Sequence, residues 1–316
     1  MPSATAILAD PIYKEHRPGE GHPERPERFD AVLHALERGS LVKDALRISS
    51  RSATDDELAL CHGRRYIELV KREVAAGGHT LSTGDTNIGE RSLEVALKAV
   101  GGVLNVVDAV FTRKAKNAFC VVRPPGHHAT PDRGMGFCIF NNVAIATRYA
   151  QKKYGIGKAL IVDWDVHHGN GTQDIFYRDG SVFYFSTHQW PWYPGTGAAE
   201  ETGEGAGKGT TLNVPAPAGS GRREIVGAFQ NKLLPAIREF KPDVALISSG
   251  FDSRLGDPLG QFTLSDHDFA DLTKLMLEVA DQYSGGRLIS VLEGGYNLAG
   301  LGSAAAAHVE ALHRAA

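Results

Sequence analysis

Aspartate and histidine alternate in one short segment, 163–167, which has the pattern Asp-x-Asp-x-His and follows an apolar run. In an extended chain alternate side chains point the same way, so Asp163, Asp165 and His167 face one side. Carboxylate oxygen and imidazole nitrogen are donors that Zn²⁺ and Fe²⁺ accept in proteins. Asp252 closes another apolar run and is a further candidate ligand. These residue types and their spacing predict a metal site.

Two adjacent histidines, His127 and His128, follow a Pro-Pro-Gly turn. Proline and glycine fix an unusual backbone path there, which suits holding two imidazoles at a defined angle. Histidine titrates near pH 7 without special help, so a pair beside a metal indicates general acid–base chemistry. Tyr296 follows two glycines, Gly294 and Gly295, which permit close approach of the backbone to a ligand. A tyrosine hydroxyl there can donate to a developing oxyanion.

These candidates need one sheet to bring them together. Near-continuous apolar runs predict buried parallel strands. They fall at 4–9, 118–122, 158–163, 182–186, 244–249 and 288–292, with a further strand-like stretch at 210–214. In an open parallel sheet, ligands bind beyond the carboxyl ends of the strands. Polar clusters follow five of the predicted strands, so we expect them on the same edge of the sheet.

Helical patterns separate the predicted strands. Apolar residues recur at i, i+3 and i+4 spacing through 92–110, and Thr54 is a candidate N-cap before three acidic residues. The other predicted helices cover 142–154, 222–239, 265–282 and 302–314. This alternation predicts one α/β domain over residues 1–316, with helices on both faces of a parallel sheet.

The composition excludes several classes of protein. The 316 residues carry a formal net charge of −3, which gives no basic face for nucleic acid. No run approaches the roughly 18 apolar residues of a membrane helix, and the N-terminal segment lacks the basic region of a secretion signal. Three widely spaced cysteines, Cys61, Cys120 and Cys138, are too few for a disulfide framework, which indicates a reducing compartment. We therefore expect a cytoplasmic protein that binds neither nucleic acid nor membrane.

Several segments resemble those of the zinc-dependent histone deacetylases and their bacterial amidohydrolase relatives. In the family's order they are HPERPER at 22–28, RPPGHH at 123–128, GFCIFNN at 136–142, DWDVHHGNGT at 163–172, SGFD at 249–252 and EGGYN at 293–297. These segments together span most of the chain. The resemblance implies the arginase–deacetylase fold, a single domain around a central parallel sheet of about eight strands.

The resemblance implies two cation sites. Asp165, His167 and Asp252 resemble the zinc ligands, and three protein ligands leave coordination open for water and substrate, as a catalytic site requires. Such ligands also accept Fe²⁺. A second, structural and buried site for a monovalent cation, usually K⁺, is implied at Asp163, Asp165, His167, Ser186 and Thr187, partly through main-chain carbonyls.

Catalytic roles follow from the same resemblance. His128 resembles the general base for the attacking water, and His127 resembles its charged partner, which Asp163 supports and which assists the departing amine. Tyr296 resembles the residue that polarises the acyl carbonyl together with the metal. Asn170 stands where many members carry Asp; because Asn occurs there in the class II branch, we place the chain in that branch.

A narrow tunnel for a thin acylated side chain is also implied. Its predicted walls are Gly136, Phe137, Tyr193 (in place of the usual Phe), Leu259, Gly294 and Gly295. Polyamine-specific relatives tend to place a carboxylate near the tunnel mouth, at the position that we align with Leu259. An apolar residue there disfavours desolvating a cation, which favours acetyl-lysine as substrate. Glu20, Glu24 and Asp85 lie on predicted rim loops and remain candidates for such a charge.

Three functions stay open on the sequence. The first is removal of acetyl groups from lysine side chains in proteins or peptides, and the second is hydrolysis of acetylpolyamines or other small acetylated amines. The third is a metal-containing module that acts by protein association without turnover. A binding module has no use for a base and an oxyanion donor together, so His127, His128 and Tyr296 argue against it. A homo-oligomer is compatible with the resemblance, because shorter members often pair subunits around the substrate rim.

Overall fold

Eight strands form one sheet in which every neighbouring pair runs parallel. The computed structural model describes residues 5–314. The strands are β1 (Thr5–Leu8), β2 (Leu46–Ile48), β3 (Asn117–Cys120), β4 (Ala159–Asp163), β5 (Val182–Gln189), β6 (Thr211–Ala216), β7 (Val244–Ser249) and β8 (Leu288–Leu292). Their spatial order is β2-β1-β3-β8-β7-β4-β5-β6. The predicted α/β fold with a parallel sheet of about eight strands is confirmed.

Ten α-helices are found within residues 5–314: α1 (Glu27–Arg38), α2 (Asp55–Leu58), α3 (Arg64–Ala75), α4 (Ser92–Phe111), α5 (Asn142–Tyr154), α6 (Asn170–Phe176), α7 (Arg222–Ala228), α8 (Leu234–Phe240), α9 (Asp266–Tyr283) and α10 (Leu298–Arg314). Helix α4 packs on α5, and α10 packs on α9 and α1. Strand β7 contacts both α5 and α9, and β3 contacts both α4 and α10, so the two groups of helices cover opposite faces. None of the helices in this part of the chain is long and apolar enough to cross a membrane.

The four central strands carry the candidate residues. Strands β3, β8, β7 and β4 are consecutive neighbours in the sheet, and all are fully buried. The loop after β3 holds the adjacent histidines, and the loops after β8, β7 and β4 hold Tyr296, Asp252 and the segment 163–167. Because parallel strands end on one edge, these loops converge as the sequence predicts.

Several predicted elements have different bounds in the structure; the helix predicted at 302–314, for example, begins at Leu298. The predicted helix 222–239 is two helices, α7 and α8, joined by a π-helical turn at Phe229–Leu233. Pro235 follows that turn and has no N–H to continue an α-helical ladder, which accounts for the wider turn. The strand predicted at 182–186 continues to Gln189 because β6 pairs with it that far. The strand predicted at 4–9 is β1, and position 4 lies outside the described residues.

Candidate active site

Three ligand-type side chains meet at the carboxyl ends of β4 and β7. Asp165, His167 and Asp252 are buried, and one ligand atom from each lies within 4.8 Å of the other two. The Nδ1 atom of His167 lies 3.0 Å from Asp165 Oδ1 and 3.2 Å from Asp252 Oδ2. The sequence-predicted metal ligands are therefore brought together, although strand β7 lies about 80 positions further along the chain than β4.

The donor set of this cluster fits a zinc ion. Asp252 Oδ2 is a buried carboxylate oxygen that accepts no well-aligned hydrogen bond from the described residues. Two buried carboxylates beside one imidazole call for positive charge to offset their desolvation. Gly294 leaves the necessary room, because a Cβ there would lie 2.0 Å from Asp252 Oδ2 and 2.6 Å from Asp165 Oδ2. Oxygen and nitrogen donors of this kind are typical zinc ligands.

The two adjacent histidines have different partners and different charges. His127 Nδ1 lies 3.0 Å from a carboxylate oxygen of Asp163, and His128 Nδ1 lies 2.8 Å from the amide oxygen of Asn170. Burial disfavours the charged form of His127, but Asp165 and Asp163 outweigh it and raise its pKa to about 10. Burial lowers the pKa of His128 well below its ordinary value, and the charge on His127 lowers it further. The surroundings therefore favour a proton on His127 and disfavour one on His128.

A cavity of about 230 Å³ leads from the surface to these groups. His128, His167 and Tyr296 lie on it, and Phe137 and Tyr193 form walls as the sequence predicts. The ring of Tyr193 meets the His128 ring edge-on at 5.2 Å between centroids, and the Phe137 ring meets Tyr296 at 5.9 Å. The two aromatic rings and the candidate catalytic groups therefore share one cavity.

Gly136 and Leu259 also line the cavity, whereas Gly294 and Gly295 are not among the residues that line it. A Cβ at Gly136 would lie 2.3 Å from a ring carbon of His128, so only glycine fits there. Gly294 donates its N–H to Asp165 Oδ2 at 2.8 Å, and the carbonyl of Gly295 accepts a hydrogen bond from Arg28. These two glycines support the metal cluster and the Tyr296 loop; they are not among the described residues that form the tunnel wall.

Tyr296 is held against a buried cation. The guanidinium carbon of Arg28 lies 4.9 Å from the centre of the Tyr296 ring. Burial raises the pKa of Tyr296 well above its ordinary value, and this outweighs the opposing effect of Arg28. The hydroxyl group therefore remains protonated and available as a hydrogen-bond donor.

The three candidate rim charges differ in their surroundings. The expectation for Glu24 is wrong: its carboxylate is completely buried and forms ion pairs with Arg28 and Arg123 at 3.0 and 2.6 Å. Glu20 is exposed but lines a separate surface depression. Asp85 lies on the cavity and accepts a hydrogen bond from the Gly136 N–H at 2.7 Å. Asp85 is therefore the candidate that can meet a substrate charge at the mouth.

Side chains of the predicted potassium site make contacts with other residues. Asp163 Oδ2 contacts His127 and the hydroxyl of Tyr184, and Ser186 Oγ lies 2.9 Å from a ring nitrogen of His188. Thr187 Oγ1 is buried without a hydrogen-bond partner among the described residues. The potassium site stays a prediction.

Sequence reasoning assigned no role to three residues that the structure places at the site. Arg28 packs on Tyr296, Glu293 contacts the histidine loop, and Trp192 lies at the cavity mouth, 39% exposed. Arg28 and Glu293 occur in the HPERPER and EGGYN segments, and Glu293 directly follows a predicted strand, which was the available signal. Trp192 had no signal beyond its position next to Tyr193.

Comparisons with known proteins show the family and the fold. The family model described as the histone deacetylase domain matches residues 22–312. A crystal structure of the HDA15 HD domain superposes with a TM-score of 0.94 at 38% sequence identity, covering 99% of this chain and 89% of that one.

Curated relatives are similar over nearly the whole of this chain. Histone deacetylase 10, chloroplastic, from Oryza sativa subsp. japonica is 41% identical over 303 residues, which cover 91% of this chain and 68% of the rice protein. Polyamine deacetylase HDAC10 from Homo sapiens is 41% identical over 301 residues, covering 92% of this chain and 44% of the human protein. This chain thus spans less than half of the human relative. By the domain match and these similarities, the chain belongs to the histone deacetylase family of hydrolases.

Proposed function

We propose that this chain removes acetyl groups from acetyl-lysine side chains by hydrolysis, using Zn²⁺ held by Asp165, His167 and Asp252. The observation that carries the proposal is the meeting of that cluster with His128 and Tyr296 around a single cavity. A base, an oxyanion donor and a metal cluster that reaches the cavity through His167 are the parts that metal-assisted amide hydrolysis needs.

Zn²⁺ in this cluster supplies Lewis acidity toward water and toward the acyl carbonyl. An amide oxygen can only accept a hydrogen bond, so Asn170 keeps the proton of His128 on Nδ1. The other ring nitrogen, Nε2, then has a free lone pair with which to take a proton from the attacking water. His127 carries a proton beside Asp163 and assists the departing amine, which leaves as a better leaving group once protonated.

Tyr296 and the tunnel walls complete the proposed reaction. The Tyr296 hydroxyl donates a hydrogen bond to the oxyanion that forms from the acyl carbonyl, a contact that is strongest in the transition state. Phe137 and Tyr193 hold a thin aliphatic side chain between their rings and exclude bulk water. An unbranched lysine side chain is the kind of substrate that such a pair of rings suits.

The direct test is acetate release from an acetyl-lysine peptide by protein of measured metal content. We expect activity that is lost on chelation, restored by Zn²⁺, and reduced by Tyr296→Phe. Tyr283→Phe is the matched control, since it removes a tyrosine hydroxyl on helix α9, away from the residues that line the cavity. Full activity after complete removal of metal would falsify the proposal.

A second substrate class, the acetylpolyamines, is favoured by one observation. Asp85 is a carboxylate at the cavity mouth, where it can pair with the distal ammonium of a polyamine. A human relative named as a polyamine deacetylase is compatible with this alternative. The ratio of kcat/KM for acetylputrescine and for the acetyl-lysine peptide decides between the classes. If the carboxylate recognises that ammonium, Asp85→Asn lowers kcat/KM for acetylputrescine and leaves kcat/KM for the peptide unchanged.

Further parts of the proposal concern the context of the reaction. We expect Zn²⁺ with Fe²⁺ as a competing occupant, because the donor set accepts both. We also expect a single catalytic domain over residues 1–316 that acts in the cytoplasm, without nucleic acid or membrane as a partner. Sedimentation of the purified protein tests for the homo-oligomer.

A further inference from the structure

Glu293 is a buried carboxylate between two loops of the active site. It follows the last residue of β8 and is completely buried. Its Oε2 atom accepts hydrogen bonds from the backbone N–H groups of Gly126 and His127 at 2.6 and 3.1 Å. Its Oε1 atom accepts a weaker one from the Ser248 hydroxyl at 3.3 Å. Within residues 5–314 no lysine or arginine forms an ion pair with it, so no such pair explains its burial.

The main chain of Glu293 is hydrogen-bonded to Arg28, the residue that packs on Tyr296. Its carbonyl oxygen accepts a hydrogen bond from Arg28, which also donates to the carbonyl of Gly295 at 2.6 Å. The same guanidinium lies against the ring of Tyr296. One residue is thus bonded through its side chain to the histidine loop and through its backbone to the residues that support Tyr296.

We propose that Glu293 is a positioning residue for the adjacent histidines: its carboxyl oxygen fixes the backbone at Gly126 and His127, and thereby the place of His128 on the cavity opposite Tyr296. This inference rests on the proposed function, in which His128 is the base. The loop needs an anchor of this kind because its own residues form no strand or helix. Misplacement of a catalytic group by about 1 Å can cost about a hundredfold in rate.

The length of the Glu293 side chain, rather than its charge, allows the hydrogen bonds to Gly126 and His127. Burial raises the pKa of Glu293 to about 7, against the opposing effect of the charged His127. Both the ionised carboxylate and the neutral acid keep an oxygen that can accept from the two N–H groups. Glutamine also keeps such an oxygen, and its NH₂ group can face the Ser248 hydroxyl, which accepts. Aspartate keeps the charge but is one methylene shorter.

A pair of variants separates reach from charge. Glu293→Gln keeps the length of the side chain and removes its charge. Glu293→Asp keeps the charge and shortens the side chain. On an acetyl-lysine peptide we expect Glu293→Gln to retain kcat within about threefold and Glu293→Asp to lose about a hundredfold in kcat, with KM nearly unchanged in both. Ser248→Ala is the matched control; it removes the partner of Oε1 and leaves kcat as it was. Circular dichroism and urea unfolding check that each variant is folded.

Hydrogen exchange at the Gly126 and His127 amides provides a readout that does not need turnover. We expect slow exchange in the unsubstituted chain and in Glu293→Gln, and faster exchange at these two amides in Glu293→Asp. If the unsubstituted chain has no deacetylase activity, the proposed function fails while this exchange pattern still tests the anchor. Full kcat in Glu293→Asp, or equal loss in both variants, overturns the inference, because reach would then not decide the rate.

Discussion

The amide oxygen of Asn170 lies 2.8 Å from Nδ1 of His128, so a neutral acceptor orients the histidine that faces the cavity. The neighbouring His127 instead meets the carboxylate of Asp163. A carboxylate stabilises a charged imidazole, whereas an amide fixes the position of the proton and adds no charge. The two acceptors therefore fit the opposite tasks that we propose for these adjacent and chemically identical side chains, one as a proton donor and one as a base.

Replacing Asn170 with alanine removes the acceptor for the His128 Nδ1 proton. The tautomer with a free Nε2 is then no longer favoured, and the ring loses its orientation. We expect Asn170→Ala to lower kcat for an acetyl-lysine peptide about tenfold to a hundredfold, with little change in KM; this is less than the roughly hundredfold to ten-thousandfold that general base catalysis contributes, because His128 itself remains. Asn170→Asp restores an acceptor and recovers most of the rate. Unchanged kcat in Asn170→Ala contradicts the orienting role.

The central strands and the metal cluster could be predicted because their signals are local. Strands β7 and β8 begin and end at the predicted residues, since buried parallel strands are continuous apolar runs with polar residues directly after them. The alternation of Asp165 and His167 is likewise a property of neighbouring positions. The edge strand β2 gave no such signal, because it has three residues and none is fully buried.

Residues whose surroundings come from distant segments could not be placed in this way. Glu24 looks like a loop carboxylate, and its burial depends on Arg123, which lies 99 positions away in the chain. Gly294 lies two positions before the candidate catalytic Tyr296, yet the side chains of Asp165 and Asp252 occupy the space beside it. In both cases the sequence specifies the residue type, and only the tertiary contacts decide whether it faces the substrate.

Leu259 at the cavity mouth tests the choice between substrate classes. A carboxylate there pairs with the distal ammonium of a polyamine, and a partly exposed ion pair is worth about 1 kcal/mol. We expect Leu259→Glu to raise the ratio of kcat/KM for acetylputrescine over the peptide about fivefold. Leu259→Gln has a similar size without the charge and leaves the ratio nearly constant. An equal effect of both variants shows that size, not charge, acts at this position.

Substitution of Asp252 tests the metal cluster through thermal stability. Its Oδ1 atom accepts from the Val166 N–H at 2.9 Å, a bond that asparagine can keep. Asparagine replaces Oδ2 with an NH₂ group, which cannot bind a metal. A ligand that binds only the folded state raises the unfolding temperature. We expect Zn²⁺ to raise the Tm of the metal-free unsubstituted chain and of the exposed control Asp44→Asn, but not that of Asp252→Asn. A zinc response in Asp252→Asn contradicts the assigned ligand.

His62 forms hydrogen bonds beside the loop that holds His127 and His128, so its protonation at low pH affects the stability of the fold there. Its Nε2 atom accepts from the N–H of Asn141 at 2.9 Å, so Nδ1 carries the proton and donates to the carbonyl of Thr130 at 2.9 Å. Asn141 caps helix α5 and also donates from its side chain to the carbonyl of Ala129. Protonation of Nε2 breaks the first of these bonds and charges a buried ring.

Burial lowers the pKa of His62 to about 4, below its ordinary value of 6.5. The unfolded chain therefore binds the proton first, so this contribution to stability is complete above pH 6.5 and decreases as the pH falls toward 4. His62→Gln cannot titrate. Between pH 7 and pH 5 the free energy of unfolding of this variant should therefore decrease by about 2 kcal/mol less than that of the unsubstituted chain. Urea unfolding at both pH values measures this, with the exposed His34→Gln as control. An identical pH dependence in the two histidine variants means that His62 is not a source of the acid sensitivity.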